Sequence, residues 1–211
     1  MNRDSIIRRP FRYGNRNAAL WLIAANILVF AAQYIVPRTT AIVALNPVAV
    51  LGGWVWQPFT YMFAHASLTH LLLNMLGLFF FGTQVERELG TREFLLYYLV
   101  TGFLAGLFSF AVYVATGQWY VRLLGASGAI YAVLLAFATL FPRAEIYIWG
   151  ILPVRAPVMV LGFAALALFN GIFGPASSVA NLTHLAGIGF GWTYFLARFG
   201  VNPARRFFPR R

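Results

Sequence analysis

A small set of residues in this sequence has side chains that can do chemistry. Ser127 lies in the segment Gly125-Ala126-Ser127-Gly128, and His184 lies in a later apolar stretch. His70 and Asn74 are spaced i and i+4, so they share one face of a helix. A serine close to a histidine is a candidate nucleophile with its general base. A histidine–asparagine pair can supply hydrogen-bond donors to an oxyanion.

The residue content excludes several other chemistries. The chain has no cysteine, which excludes thiol nucleophiles, disulfides and zinc–thiolate sites. It has no H-E-x-x-H motif, so a zincin-type metalloprotease is excluded. Its sole aspartate is Asp4, so an intramembrane aspartyl protease, which needs two, is excluded as well. We therefore expect no metal and no organic cofactor.

The composition indicates a membrane protein. Hydrophobic residues make up 61% of the 211-residue chain and charged residues only 10%, against about 25% charged in a soluble domain. A membrane-spanning helix uses roughly 20 apolar residues. Six apolar runs are suited to this role, at residues 18–36, 69–82, 94–115, 125–141, 157–173 and 182–199. We predict an all-α polytopic membrane protein, a bundle of six transmembrane helices.

The rest of the chain divides around this membrane domain, which we assign to residues 18–200. Residues 1–17 form an Arg-rich N-terminal tail, and residues 201–211 form a basic C-terminal tail. The long connection 37–66 is rich in Trp, Tyr and Phe, side chains that favour the membrane interface. We predict that this connection lies in the outer leaflet.

The arginines predict the orientation. All 16 basic residues are arginine, and with six spans only Arg38 and Arg122 lie on the side opposite the termini. Cytoplasmic loops carry an excess of basic residues, so both termini are predicted to be cytoplasmic. The net charge of +11 then reflects topology and contact with lipid headgroups. Nucleic-acid binding is not expected.

This orientation brings the candidate residues to one depth. Spans two, four and six all run from outside to inside, and Ser127, His184, His70 and Asn74 lie in their early turns. The five acidic residues are all assigned to the cytoplasmic side, so none can orient His184. A Ser-His dyad is therefore predicted instead of a triad. His70, Asn74 and the backbone N–H of Ser127 are the expected oxyanion donors.

Small residues indicate that the helices carrying the dyad pack closely. Gly128 begins a small-residue stripe on span four, while Gly187 and Gly191 form a G-x-x-x-G motif on span six. His184 shares the face of these two glycines. Tyr131 lies one turn after Ser127, where its ring can support the imidazole.

Each of these signals has a structural alternative. A single G-x-S-G motif in a membrane helix usually reflects tight packing, and His70 and Asn74 can simply hydrogen-bond between helices. A transporter or channel would need polar residues across the whole bilayer, which spans three and five do not offer. A non-catalytic protein that binds membrane clients is a further alternative.

Taken in order, the motifs resemble the rhomboid family of intramembrane serine proteases. The resemblance covers about Trp56 to Gly191 and rests on five segments: Trp56–His65, H-x-x-x-N at His70–Asn74, E-x-x-x-G at Glu86–Gly90, G-x-S-G at Gly125–Gly128, and H-x-x-G-x-x-x-G at His184–Gly191. The family often has alanine before the second histidine, where this chain has Thr183.

The resemblance implies a compact six-helix rhomboid core of the bacterial type, and it also implies a proteolytic activity. The protein would be a serine endopeptidase that cleaves transmembrane segments of other membrane proteins near the outer face, without a metal or cofactor. Its partners would be those substrates and membrane lipids, and its location the bacterial inner (plasma) membrane. The segment 174–181, with Gly, Pro and Ser, would act as a lid over the site.

Overall fold

The computed structural model describes residues 11–148, 150–173 and 178–208. Helices are present at all six predicted apolar runs. In chain order the elements are α1 Ala18–Ile35, α2 Arg38–Val43, α3 Pro47–Leu51, α4 Gln57–Thr60, a 3-10 turn Tyr61–Phe63, α5 Leu68–Gly77, a π-helical turn Leu78–Gly82, α6 Thr83–Leu89, α7 Thr91–Ala115, α8 Ser127–Leu140, β1 Glu145–Ile148, β2 Leu152–Arg155, α9 Ala156–Phe173, α10 Ser178–Tyr194, a π-helical turn Phe195–Phe199 and α11 Pro203–Phe207.

Four helices of the described chain are long and apolar enough to cross a membrane. They are Ala18–Ile35, Leu68–Leu89, Thr91–Ala115 and Ala156–Phe173. Helix α8 is apolar but shorter, at 14 residues. The prediction of a mainly α-helical, polytopic membrane protein is confirmed, whereas the count of six spans and the orientation of the termini stay predictions.

Helix α8 lies at the centre of the bundle. From Gly128 to Thr139 every residue except Tyr131 is buried. The helix contacts α7, α9, α10 and the helix formed by α5 and α6. Its surface is rich in Gly and Ala, and small side chains allow neighbouring membrane helices to approach closely. Ser127 is the first residue of this central helix, so its position is fixed by packing on several sides.

The connection 37–66 is ordered by hydrogen bonds and contains α2, α3 and α4. The buried Gln57 side chain accepts from the N–H of Asn46 at 2.9 Å and donates to the carbonyl of Ala41 at 2.9 Å. Leu45 and Leu123 form a two-way backbone bridge at 2.9 Å in each direction. This bridge ties the connection to the segment that leads into Ser127. Its location in the outer leaflet stays a prediction.

A short β-hairpin joins α8 to α9, and it was not predicted. Its strands β1 and β2 pair antiparallel, with Glu145 opposite Arg155 and Ile148 opposite Leu152. Gly150 in the turn has φ of +71°, a conformation that favours glycine. Each strand has only four residues, which is too few for a clear alternation of apolar and polar side chains. The sequence pattern therefore did not indicate the hairpin.

The start of α1 is held against the junction of α6 and α7. The buried carboxylate of Glu86 accepts from the backbone N–H groups of Ala18 at 2.8 Å and Ala19 at 2.9 Å. The Thr91 hydroxyl donates to the same carboxylate at 2.5 Å. Residues 1–10 and 209–211 of the predicted tails lie outside the described residues, and so do residues 174–177 of the predicted lid.

Candidate active site

Ser127 and His184 are in direct contact. Ser127 opens α8, His184 lies in the second turn of α10, and their Oγ and Nε2 atoms are 2.7 Å apart. Both residues are half-buried. The two helices thus bring together side chains 57 positions apart in the sequence. A hydroxyl at this distance from an imidazole nitrogen can transfer its proton to that nitrogen.

The plane of the imidazole is set by an aromatic ring. Tyr131 stacks on His184 with 4.3 Å between ring centroids and 9° between planes. Tyr131 in turn contacts Phe163 of α9, at 6.0 Å between centroids. Within the described part of the chain no carboxylate hydrogen-bonds to His184; Glu86 and Glu93 are bonded elsewhere, to α1 and to Arg198. Stacking therefore holds the ring where a triad would use an acid.

Glycines allow α8 and α10 to approach this closely. A Cβ atom added to Gly187 would overlap the backbone carbonyl of Gly128. One turn further, a Cβ on Gly191 would meet the Tyr97 hydroxyl at 2.5 Å and Ala132 at 3.2 Å. Gly187 and Gly191 are therefore at the backbone contact between the helices, on the face that carries His184.

His70 lies beside the backbone that leads into Ser127. Gly125 has φ of +124°, and a Cβ there would be 2.8 Å from both Cε1 and Nε2 of the His70 ring. The opposite ring nitrogen, Nδ1, accepts a long hydrogen bond of 3.5 Å from the N–H of Ala66. Because Nδ1 is the acceptor, the ring proton belongs on Nε2, the nitrogen that faces the serine loop. Glycine at 125 is required both by φ and by this contact.

Asn74 lies one turn after His70 and is buried. Its Nδ2 donates to the His70 carbonyl of its own helix at 2.8 Å. In the described structure it makes no hydrogen bond to Ser127 or His184. The sequence predicts that Asn74 shares a helix face with His70, and the structure brings His70, not Asn74, against the serine loop.

Sequence reasoning missed two contacts around the site. Thr183, next to the candidate base, shares a 2.6 Å hydrogen bond with Ser109 of α7 and donates to Val179 at 3.0 Å. Gln33 of α1 binds the backbone of His65 on both sides, accepting from its N–H at 3.0 Å and donating to its carbonyl at 3.2 Å. The isolated polar residues Ser109 and Gln33 within apolar runs were the signals available.

The His65 side chain is buried beside His70. Its two ring nitrogens are buried and have no hydrogen-bond partner among the described residues. The ring packs edge-on to His70 at 5.1 Å between centroids. Burial, and secondarily the neighbouring His70, lower the pKa of His65 to about 4. His65 is therefore neutral at ordinary pH and supports His70 by packing.

A rhomboid domain matches residues 52–200, which include Ser127, His184, His70 and Asn74. The chain belongs to the rhomboid family. This rhomboid is 36% identical over 143 residues to RHOMBOID-like protein 12, mitochondrial, of Arabidopsis thaliana, covering 61% of the chain and 42% of that relative. It is 31% identical over 183 residues to rhomboid protease GlpG of Enterobacter sp. (strain 638), covering 82% of the chain and 59% of the relative.

A shorter relative is matched over most of its length. Putative rhomboid protease YdcA of Bacillus subtilis (strain 168) is 31% identical over 173 residues, covering 81% of the chain and 78% of the relative. The chain spans less than two thirds of the Arabidopsis and Enterobacter relatives. The relatives include mitochondrial and bacterial proteins, so a bacterial inner-membrane location stays a prediction.

Proposed function

We propose that this rhomboid is an intramembrane serine endopeptidase with Ser127 as nucleophile and His184 as general base. The observation that carries the proposal is the 2.7 Å separation of Ser127 Oγ and His184 Nε2 at the buried junction of two helices. A packing contact alone would not require a hydroxyl and an imidazole to meet in an apolar bundle, where polar groups are costly.

The proposed reaction has two steps. Nε2 takes the hydroxyl proton as Oγ attacks the scissile carbonyl, and the resulting imidazolium gives that proton to the leaving amine. Water then loses a proton to Nε2 and attacks the acyl-serine ester, and the imidazolium returns that proton to Oγ as the new carboxyl end is released, which restores Ser127. For Nε2 to act as base, the neutral ring must carry its proton on Nδ1. Stacking on Tyr131 keeps Nε2 aimed at Oγ throughout.

The developing oxyanion has donors on the His70 side of the serine. The His70 Nε2–H faces Gly125, two residues before Ser127. Ser127 is the first residue of α8, so its backbone N–H has no partner within that helix. The Asn74 amide uses one N–H for the His70 carbonyl and retains another. We assign these three groups to the oxyanion hole, with Asn74 contributing after a substrate enters.

The length of α8 supports a recessed site. Its 14 residues extend about 21 Å, roughly 10 Å less than the hydrocarbon core. With the end of α8 at the cytoplasmic surface, Ser127 lies below the outer surface. We propose six spans with both termini cytoplasmic, in keeping with the arginine distribution. The substrates are then transmembrane segments of other proteins, cleaved near the outer face after local unwinding.

The test is labelling with a fluorophosphonate probe, which reacts with an activated serine. Wild-type protein should be labelled and should cleave a transmembrane substrate, whereas Ser127→Ala should do neither. Ser67→Ala is the matched control, because this exposed serine only caps α5 through the N–H of His70, at 3.2 Å. It should cost about 1 kcal/mol of stability and retain labelling. Labelling of the Ser127→Ala variant would exclude Ser127 as the nucleophile. A wild-type protein that is neither labelled nor active would favour a non-catalytic protein that binds membrane clients.

A further inference from the structure

A basic groove lies at the opposite end of α1 from the loop that carries His65. Its volume is about 860 Å³, and it is lined by the N-terminal tail, the first turns of α1 and the start of α7. Three arginines line it, Arg12, Arg16 and Arg92. None belongs to the catalytic machinery.

The tail that supplies two of these arginines is docked in place. The Tyr13 hydroxyl donates to the carbonyl of Arg87 at 2.9 Å. Thr91 binds the tail twice: its N–H donates to the Gly14 carbonyl at 2.7 Å, and its hydroxyl accepts from the N–H of Arg16 at 2.8 Å. The Phe11 ring lies 4.9 Å from the Arg198 guanidinium. The backbone of residues 11–16 is therefore fixed, and Arg12 and Arg16 stay beside Arg92.

The positive charge of the groove is not neutralised within the described residues. Among the described residues no carboxylate forms an ion pair with the three arginines, and the Glu93 carboxylate, next to Arg92 in sequence, pairs with Arg198 at 2.8 Å. The nearby carboxylate of Glu86 is buried, and backbone N–H groups of α1 satisfy both of its oxygens. Three guanidinium groups around one groove repel one another and favour an anion between them. Guanidinium groups bind phosphate oxygens with paired hydrogen bonds.

The same groove has an apolar side. Trp21, Leu22 and Leu95 line it, and the Trp21 side chain is 73% exposed. Trp21 is in the first turn of α1, a helix apolar enough to span a membrane. Tryptophan favours the level of the lipid headgroups. A ligand that fills this groove thus needs a phosphate at the arginines and hydrocarbon along α1.

We propose that this groove binds one anionic phospholipid of the bilayer, with its phosphodiester held by Arg12, Arg16 and Arg92 and its acyl chains against Trp21 and Leu95. A free phosphate compound would satisfy the arginines but leave the apolar side exposed. A lipid satisfies both sides. The volume of the groove, about 860 Å³, is in the range usual for a ligand site.

Native mass spectrometry of the purified full chain tests this site. The protein in detergent is titrated with phosphatidylglycerol or phosphatidylcholine of the same acyl chains. Wild type should bind phosphatidylglycerol about tenfold more tightly than phosphatidylcholine. The triple variant Arg12→Gln, Arg16→Gln, Arg92→Gln should lose about 10- to 100-fold in phosphatidylglycerol affinity, since each basic residue near the headgroup contributes. The matched triple variant with lysine at the same three positions should retain part of the phosphatidylglycerol affinity, because the charge remains but the paired hydrogen bonds are lost.

The control removes the same charge elsewhere. Arg143→Gln, Arg155→Gln, Arg205→Gln changes three exposed arginines outside the groove and should bind phosphatidylglycerol within about threefold of wild type. Glycerol 3-phosphate at equimolar concentration should not displace the lipid. Equal losses in the two glutamine triples, equal binding of the two lipids by wild type, or displacement by glycerol 3-phosphate would each overturn the proposal. Unchanged thermal unfolding of the variants separates lost binding from lost folding.

Discussion

At the scale of single residues, the two histidines near Ser127 have different partners. His184 Nε2 contacts the serine oxygen at 2.7 Å, whereas His70 lies against Gly125 and receives an N–H on its Nδ1. The first arrangement suits a base and the second a donor. The proposed assignment therefore makes opposite demands on the two rings, which mutagenesis can separate.

We predict that His184→Ala leaves essentially no cleavage, while His70→Ala and Asn74→Ala keep measurable rates. Removal of one oxyanion donor costs about 2.7–4 kcal/mol, or roughly 10²–10³ in rate. Loss of the base removes serine activation as well, so its effect is larger. Initial rates on one substrate in liposomes measure this. An inactive His70→Ala with a His184→Ala that still reacts with fluorophosphonate would reverse the two roles.

The pH dependence follows from the same assignment. Only neutral imidazole can accept the serine proton, so we predict that turnover rises with pH through the titration of His184 and then levels off. The measurement is kcat/KM against pH for wild type and for Asn74→Ala, which should share one midpoint. A rate that falls as pH rises would exclude a neutral base.

The candidate site residues could be selected from the sequence, but their contacts could not be predicted. Motif spacing and a shared depth selected Ser127, His184, His70 and Asn74. Sequence spacing does not fix the rotation of one helix about its axis relative to another, so it could not say that His70 would lie against Gly125 and that Asn74 would bond to its own helix. The Thr183–Ser109 bond depends on the same packing.

At the scale of elements, the contact between α8 and α10 brings Ser127 and His184 together. A Cβ at Gly187 would overlap the Gly128 carbonyl, which is backbone and cannot rotate away. We predict that Gly187→Ala separates the helices, costs about 1–3 kcal/mol of stability and lowers cleavage by roughly 10²-fold. Thermal unfolding in detergent and cleavage rates measure the two effects.

Gly189→Ala is the matched control on the same helix. A Cβ at Gly189 has no atom within 4 Å among those described, and the residue is exposed. Since alanine has the higher helix propensity, this variant should keep wild-type activity and stability. If Gly187→Ala were as active as Gly189→Ala, the close approach of α8 and α10 would not be what positions the dyad.

Long elements were predictable from composition, and short ones were not. Each of the six apolar runs contains a helix, because a helix satisfies the backbone hydrogen bonds of an apolar stretch within that stretch. The π-helical turn Leu78–Gly82 and the hairpin of β1 and β2 were missed. The π turn lies in the run Leu-Phe-Phe-Phe-Gly, where nearly every residue is apolar, so no hydrophobic periodicity could reveal it. The helices of the connection 37–66 are likewise too short for a periodic signal.

At the scale of the whole molecule, the two ends of the bundle differ in chemistry. One end carries the Ser127–His184 pair together with His65, His70 and Ser67. The other carries the docked tail, the Glu93–Arg198 pair and the arginines of the basic groove. The count of arginines in each connection predicts such an asymmetry, and the prediction that the basic end faces the cytoplasm is untested. Which end faces the cytoplasm is decided when the protein inserts into the membrane, and the positive-inside rule predicts that it is the basic end.

The orientation can be measured without background because the chain has no cysteine. Tyr120, 88% exposed between α7 and α8, is predicted to face outside, and the exposed Arg206 of α11 to face the cytoplasm. In spheroplasts of an expressing bacterium, an impermeant maleimide should label Tyr120→Cys and leave Arg206→Cys unlabelled until the membrane is permeabilised. Labelling of both variants after permeabilisation is the control for accessibility. The reverse pattern in intact spheroplasts would invert the protein and put Ser127 in the cytoplasmic leaflet.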